Sequence, residues 1–500
     1  MKTSVGQKVE FRQPAIIVLL AATVVMRVVS MIWMNLIPEE AYYWMYSQHP
    51  SMSYFDHPPM VAWLIDLGTL LFGNTQFGVR FGIGLLMLAS SGAMYAFGRM
   101  WFGREASVAA ALLLQVLPVY FGAGLIATMD AALLFFWLIA LVGLSVALRK
   151  QYAWGWYLAG VGAGGAMLSK YTGVFLELGA FATVVGYRPW RRYLTSPHPY
   201  AAVLLSFAMF IPVLIWNAQH QWASFQFQFV DRCEGNVFSA AHVMLFVLMQ
   251  IATAMPVVLA GLGWLYARVL RKKRRLLTPR CLLALSFSLP LLLAMSYKSM
   301  RCDVHLNWTL PAYLSALPAI AQLTFARGRQ TRNWLSTIVW RRAALITLVG
   351  CLMLNLLAII YVLILQPRVG WLAALGPWPE LATAVQKIAD RNQAETGRES
   401  LIVGADKNRL ASVLAFYRTP LEKDVRASDF TTSQWVISGE GLAYPYWANA
   451  DLWSDCNVII VDDRNATGRF ASRLEGYKPL DDIRLNRKSY QIAVGRFPRN

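Results

Sequence analysis

The feature that most restricts what this chain can fold into is a recurrence of apolar runs, each about 20 residues long, separated by short polar loops. In hydrocarbon every backbone N–H and C=O must be paired within the spanning element, so runs of this length and composition read as membrane helices. Of the 500 residues, 57% are hydrophobic and only 15% charged, whereas a soluble domain sits nearer half and a quarter. The chain is therefore read as a polytopic α-helical membrane protein, with about 11–13 transmembrane helices. A net charge of +19 would ordinarily suggest nucleic acid. Here the basic residues gather in short loops between apolar runs, which makes them topology signals and excludes that reading.

The loops alternate in charge. Lys2, Lys8 and Arg12 precede a retained first span, Pro14 to Leu36, which has no cleavage site after it. Further basic clusters lie at Arg99 and Arg104, at Arg149 and Lys150, at Arg188, Arg191 and Arg192, at Arg268 to Arg275, and at Arg327 to Arg342. The loops between these are poor in Lys and Arg, and the alternation persists over about eleven crossings. By the positive-inside rule the amino terminus is cytoplasmic and the carboxyl terminus lies outside. Residues 1–366 read as a membrane domain with functional outer loops. After Gln366-Pro367 the long apolar runs stop, and residues 367–500 read as a small extracytoplasmic α/β domain. Its expected strands are Leu401 to Gly404, Trp435 to Ile437, Asn457 to Val461 and Tyr490 to Val494, with a helix around Ala411 to Tyr417.

The five cysteines show no CxxC spacing, which argues against zinc or redox motifs; Cys233 and Cys302 fall in outer loops, where a disulfide between them is one reading. Asn307-Trp308-Thr309 and Asn465-Ala466-Thr467 match glycosylation sequons, but patterns this short arise by chance.

On this topology the embedded polar residues converge on the outer face. Glu39, Glu40, Asp56 and His57 come from the first outer loop, among the rings Tyr42, Tyr43, Trp44, Tyr46 and Tyr54. Asp130 comes from the second loop, Lys170 and Tyr171 from the third, Asp231 and Arg232 from the fourth, and Lys298, Arg301 and His305 from the fifth. A charge at the bilayer centre costs roughly 2.5–3.5 kcal/mol, so such a set belongs at a membrane face or polar cavity. Carboxylates that can take a proton from a hydroxyl, beside cations that can hold a phosphate leaving group, are the parts of a group-transfer site. Each residue also has a structural reading. Glu39, Glu40 and Asp130 suit the first turn of a helix, the aromatic rings suit an interfacial belt, His57-Pro58-Pro59 suits a rigid turn, and Lys170 can snorkel.

Glu39-Glu40-Ala41-Tyr42-Tyr43-Trp44 followed by Tyr54-Phe55-Asp56-His57-Pro58-Pro59 resembles the first-loop signature of membrane glycosyltransferases of C-type (GT-C) fold. The resemblance is to the branch of protein O-mannosyltransferases and lipid A aminoarabinose transferases. Thr128-Met129-Asp130, Ser169-Lys170-Tyr171-Thr172-Gly173 and the stretch from Lys298 to Tyr313 fit in the same order, over about residues 10–365. The resemblance implies a polyprenyl-phosphate-linked sugar donor and transfer on the extracytoplasmic face of a bacterial inner membrane. By position it implies Glu39 and Asp130 as catalytic acids, with Glu40 able to share the first role. It implies Asp56, His57, Lys170, Tyr171, Lys298 and Arg301 at the donor phosphate, and Tyr43 and Tyr54 as substrate-contact rings. Glu39 stands where the family usually has Asp, and His57 where lipid A transferases have lysine. No cofactor is otherwise indicated; a divalent metal stays open, with Asp56 as its candidate ligand.

The expected function is inverting glycosyl transfer to an envelope acceptor, lipid A or lipopolysaccharide first. The alternatives are a protein O-glycosyltransferase of the same fold, a transporter or flippase of lipid-linked sugars, and a non-catalytic partner. No pair of related halves, as transporters often carry, is visible.

Overall fold

The computed structural model describes residues 13–233, 238–271, 278–325, 334–364, 376–421, 426–439, 441–447, 453, 456–463, 467–485 and 488–497. The basic residues Lys2 to Arg12 and Arg327 to Arg332, the junction Gln366-Pro367, Glu234, Asn465 and the side chains of Cys233 and of 268–275 lie outside the described residues.

The membrane part is a helical bundle whose elements follow the expected runs. Helix α1 (Gln13–Trp33) turns by 75° into α2 (Pro38–Gln48), and α3 (Met60–Phe72) leads to α4 (Gln76–Trp101). The next run is broken at Leu117-Pro118 into α5 (Arg104–Val116) and α6 (Pro118–Ala123), because proline lacks an N–H and disfavours helix at the residue before it. Helices α7 (Asp130–Ser145), α8 (Trp154–Ser169), α9 (Phe175–Gly186) and α10 (Pro197–Gln219) come next, then the short α11 (Ala223–Phe229). α12 (Ala240–Arg271) is kinked where Met255, at φ 61°, precedes Pro256. After α13 (Pro279–Ser299) the tenth run is split into α14 (Leu310–Leu314) and α15 (Leu317–Phe325), and α16 (Trp334–Ile364) completes the bundle. Among the described residues six helices are long and apolar enough to cross a bilayer alone, or seven if the bent α1–α2 pair is one span. That is fewer than the expected 11–13, and the physical reason is breakage: several expected crossings are realised as short or proline-interrupted helices.

Helices α7 and α8 approach each other most closely through their glycines. A Cβ on Gly143 would lie 2.4 Å from the backbone N of Ala159, one on Gly155 2.5 Å from Ala147 N, and one on Gly162 2.4 Å from Ala140 N. The two helices pack backbone to backbone along a seam of small residues, as membrane helices do when van der Waals contact drives association. They run antiparallel through a short connection, so the start of α7 and the end of α8 fall at the same level.

The remaining segment carries α17 (Trp378–Thr396), α18 (Arg409–Arg418), the single turn α19 (Trp435–Ser438) and a sheet in the order β2-β1-β3-β6-β4, with β5 on β6. The strands are β1 (Ser400–Gly404), β2 (Thr431–Ser433), β3 (Asn457–Asp462), β4 (Glu475–Pro479), β5 (Ile483–Leu485) and β6 (Lys488–Arg496). β1, β2 and β3 are parallel, and every residue of β1 and β3 is buried, as continuous apolar central strands require. Trp435 to Ile437, expected as a strand, forms α19 instead. The strand β2 ends two residues before it, and Gly439 at φ 77° closes the turn in the left-handed conformation open to glycine. This segment sits on α2: the Tyr417 hydroxyl accepts from Leu36 N–H at 2.7 Å, Phe416 meets Trp44 edge-on, and Ala443 N–H donates to the Tyr42 hydroxyl at 3.0 Å.

Candidate active site

Asp130 opens α7 and Lys170 immediately follows α8, so the seam between those helices brings them together. Lys170 Nζ lies 2.9 Å from Asp130 Oδ1, and both side chains are buried. Asp130 Oδ2 accepts from Asn307 Nδ2 at 2.5 Å and from Thr128 Oγ1 at 3.1 Å. A carboxylate held on both oxygens by three donors is fixed in one orientation.

The adjacent acids Glu39 and Glu40 have opposite fates. Successive helical residues point about 100° apart. Glu39 is exposed and lines the main cavity. Glu40 is fully buried and turned inward, where Arg80 of α4 grips it with Nε at 2.7 Å and Nη2 at 2.6 Å. Its two oxygens also accept Ala127 N–H at 2.8 Å and Ile37 N–H at 3.0 Å. Arg80, itself buried, donates to the carbonyl of Met31 at the end of α1 and to those of Met34 and Asn35 in the bend after it. Glu40, expected to share the catalytic role with Glu39, is placed away from the cavity lining. All its lone-pair directions are spent on a clamp joining the α1–α2 bend, α4 and the loop that leads to Asp130.

Asp56 does not reach the main cavity either. It lies behind His57, its Oδ1 accepting hydrogen bonds from the Tyr42 and Tyr46 hydroxyls. Burial pushes its carboxyl above the usual range, against the opposing pull of those bonds. His57 Nε2 stands 3.9 Å from Asp56 Oδ2, and its buried Nδ1 has no partner among the described residues. Burial, with Lys170 and Arg232 nearby, holds the imidazole well below its ordinary pKa, so it is neutral at pH 7. The ring lines the cavity with Tyr43 edge-on at 5.7 Å. Tyr54, expected as a substrate-contact ring, is instead stacked 4.0 Å from Tyr46, with its hydroxyl on the Tyr46 carbonyl at 2.8 Å. It faces a second, smaller pocket.

The main cavity has a volume of about 1160 Å³. Its polar end gathers Glu39, His57, Asp130, Lys170, Tyr171, Lys298, Arg301 and His305; its other end is walled by apolar side chains that include Phe121, Leu354, Ile359 and Val362. The structure thus brings together the expected set apart from Glu40, Asp56, Tyr54 and Asp231, which do not line this cavity. It keeps Arg232 from the fourth loop and adds Gln228 and Asn307. The Arg232 guanidinium and Lys298 ammonium both lie 4.9 Å from the Trp308 ring, and Gln228 ties them, its Oε1 accepting from Arg232 at 2.9 Å and its carbonyl from Lys298 at 3.4 Å. Arg301 lies 5.7 Å from the Tyr297 ring. Burial lowers the Arg232 pKa from its ordinary value, opposed by the Asp56 carboxylate. Asn307 was legible only as a chance sequon; its place in a polar run beside Trp308 was the available signal. Cys302 is disulfide-bonded, while the side chain of Cys233, expected as its partner, lies outside the described residues. Among the described residues no three His, Cys, Asp or Glu side chains converge as a metal would need, and one Asp56 oxygen is already held by two hydroxyls.

A bent first helix, polar loops meeting at one end of an apolar-walled cavity and an α/β segment resting on them make up the fold of this multi-pass membrane protein, and solved membrane glycosyltransferases of C-type fold share it. Two crystal structures of ArnT from Cupriavidus metallidurans, one apo and one bound to undecaprenyl phosphate, superpose with TM-scores of 0.63 over 96% of this chain, at 16% identity; they are covered over 98% and 97% of their length. The oligosaccharyltransferase AglB of Archaeoglobus fulgidus, solved with an inhibitory peptide and a dolichol-phosphate, shares the fold more loosely, with a TM-score of 0.51, 11% identity and coverage of 93% of this chain and 73% of that one. Residues 56–216 match the family model described as dolichyl-phosphate-mannose-protein mannosyltransferase. The lipid A galacturonosyltransferase RgtD of Rhizobium johnstonii is 24% identical over 55% of this chain and 58% of its own length. The undecaprenyl phosphate-alpha-4-amino-4-deoxy-L-arabinose arabinosyl transferase of Erwinia tasmaniensis is 29% identical over 29% of this chain and 27% of its own. The chain thus matches little more than half the length of the one relative and about a quarter of the other.

Proposed function

We propose that this chain transfers a sugar from a polyprenyl-phosphate donor to an envelope acceptor, lipid A favoured, at the periplasmic face of a bacterial inner membrane. The observation that carries the reading is the cavity itself. One end offers two carboxylates facing Lys170, Arg232, Lys298 and Arg301, and the other offers apolar walls suited to an isoprenoid chain. The names of the similar transferases and the undecaprenyl phosphate bound to ArnT support the donor class, and lipid A appears in the name of one relative. The basic loops of the sequence support a cytoplasmic amino terminus and a carboxyl terminus outside. Residues 1–366 then form the membrane unit, and residues 367–500 form the cover over its outer loops.

Glu39 is the general base. It takes the proton from the acceptor hydroxyl as that oxygen bonds to the anomeric carbon, while the bond to the phosphate oxygen breaks and leaves its electron pair on the phosphate. Lys170, Lys298, Arg232 and Arg301 offset the charge that develops there. Asp130 orients Lys170. A single displacement inverts the anomeric centre. No step is assigned to a metal.

The test is transfer from a labelled polyprenyl-phosphate sugar by the purified chain, with Glu39→Gln and Asp130→Asn beside the wild type. Full transfer by both variants would sink the assignment. Mass spectrometry of lipid A from a deletion strain and its parent then names the acceptor. An unchanged lipid A with a lost protein glycan would favour the protein O-glycosyltransferase reading, which the matched family description keeps in view.

A further inference from the structure

A second pocket of about 670 Å³ lies between the first outer loop, the end of α10 and the carboxyl-terminal segment. Its size is within the range of about 300–1,000 Å³ seen for small-molecule sites. Two stacked ring pairs face it: His49 on Trp447, with centroids 4.9 Å apart and planes at 10°, and Trp216 on His220, 4.0 Å apart at 12°. Tyr446 stands between them, 5.6 Å from Trp216, 5.5 Å from His220 and 5.8 Å from Phe55. Tyr446 is 42% exposed. The exposed Arg426 brings a guanidinium to the rim, its Nε 3.4 Å from Asp429 Oδ2. Two polar atoms of the lining, His49 Nε2 and Ser53 Oγ, are buried without a hydrogen-bond partner among the described residues. Such atoms normally find one in a ligand or water.

Aromatic faces, unpartnered polar atoms and a cation at the rim are the requirements of a saccharide carrying an acidic group. The C–H face of a pyranose packs on a ring, its hydroxyls pair with imidazole and serine, and its acid meets the guanidinium. The pocket is also joined to the main cavity through one wall. Residues 48–55 line the pocket, His57 lines the cavity, and Tyr54 N–H donates to the His57 carbonyl at 3.1 Å to hold the turn between them. Glu39 and His49 mark opposite ends of α2, about 15 Å apart at 1.5 Å per residue. An occupant reaching both is longer than one sugar ring.

We infer that this aromatic pocket holds the phosphorylated oligosaccharide part of the acceptor glycolipid, apart from the donor cavity and across the first outer loop from it. The inference rests on the transferase reading for the word acceptor, but binding can be measured without transfer. The probe is the bisphosphorylated glucosamine disaccharide that forms the sugar part of lipid A, freed of its acyl chains and titrated against the detergent-purified full chain by tryptophan fluorescence. Tyr446→Ala is expected to weaken its binding by about tenfold, as loss of a central aromatic contact does. Arg426→Gln is expected to weaken the bisphosphate but not the unphosphorylated disaccharide. Undecaprenyl phosphate should bind both variants as it binds the wild type, which controls for folding, and should not displace the disaccharide. Wild-type disaccharide affinity in both variants, or displacement by undecaprenyl phosphate, overturns the inference. If the wild type transfers sugar while the variants bind normally, the pocket assignment fails and the transferase reading stands. If the variants lose binding but no sugar is transferred by any form, the reverse holds.

Discussion

Replacing Glu40 tests whether this acid is a clamp or a catalyst. In the native protein its carboxylate accepts two hydrogen bonds from Arg80 and two from backbone N–H groups, in a site with no solvent exposure. Glu40→Ala leaves the Arg80 guanidinium buried without its counter-ion, and breaking a buried pair from one side destabilises by about 3–5 kcal/mol. Two backbone N–H groups also lose their acceptor, so the figure is a lower range unless water enters. Unfolding entropy of about 2.1 cal/mol/K per residue, over 500 residues, is roughly 1 kcal/mol/K, so the apparent melting midpoint should fall by about 3–5 °C. The assay is intrinsic-fluorescence melting of the purified protein in one detergent, at one scan rate because membrane proteins seldom unfold reversibly. Glu39→Ala, at an exposed position, should leave the midpoint within a degree or so. A Glu40→Ala protein that melts with the wild type would refute the clamp, and with it the argument for assigning the chemistry to Glu39.

Three further outcomes are expected from the same geometry. Lys170→Met should reduce transfer by about 100-fold, the scale of one lost electrostatic stabiliser, with Lys170→Arg restoring part of it; equal turnover by all three forms would remove Lys170 from the site. Gly162→Val should abolish recovery of monodisperse protein, because its Cβ would meet the Ala140 backbone N at 2.4 Å, whereas Gly92→Ala, with open space around it, should purify normally. Burial lowers the His49 pKa to about 4, with Asp429 pulling the other way and Arg426 adding to the drop. Between pH 6.5 and 4 the unfolded chain therefore binds the proton that the folded one refuses, so its contribution to stability is complete above 6.5 and fades as pH falls. His49→Gln should flatten the melting midpoint over that window, and an unchanged slope would count against burial as the cause.

Much of this architecture was legible because lipid imposes a coarse rule. Apolar length and loop charge sufficed to place about eleven runs, and nearly all of them appear as helices or helix pairs. What they did not reveal was where the runs break: Leu117-Pro118 and Met255-Pro256 interrupt runs that hydropathy alone joins. Asp130 and Lys170 were legible as residues of one face, because antiparallel neighbours with a short connection return the chain to one level; their ion pair was not. Glu39 and Glu40 were not separable, since neighbouring acids face different ways and the partner that decides lies 40 residues on. A signal did exist. Arg80 is an arginine inside an apolar run, and such a charge needs a buried acid. Arg232 was undervalued for the opposite reason: it sits in an outer loop where a solvated charge is unremarkable, and only Trp308 from a distant loop gives it a place.

The same geometry decides how labour divides between the two cavity acids. Both oxygens of Asp130 already accept hydrogen bonds, from Lys170 on one side and from Asn307 and Thr128 on the other. To take a proton it would have to release one of them, and releasing Lys170 would unpair a buried ammonium just as a phosphate needs it. Its better use is to keep that ammonium aimed into the cavity until the phosphate arrives and shares it. Glu39 carries no such burden: it is exposed, lines the same cavity and stands one residue from a clamp that fixes its backbone. Asp130→Asn should therefore chiefly raise the donor KM, since the amide still meets Thr128 but no longer balances Lys170. Glu39→Gln should lower kcat with the donor KM little changed. A Glu39→Gln enzyme impaired only in donor KM would reverse the two roles.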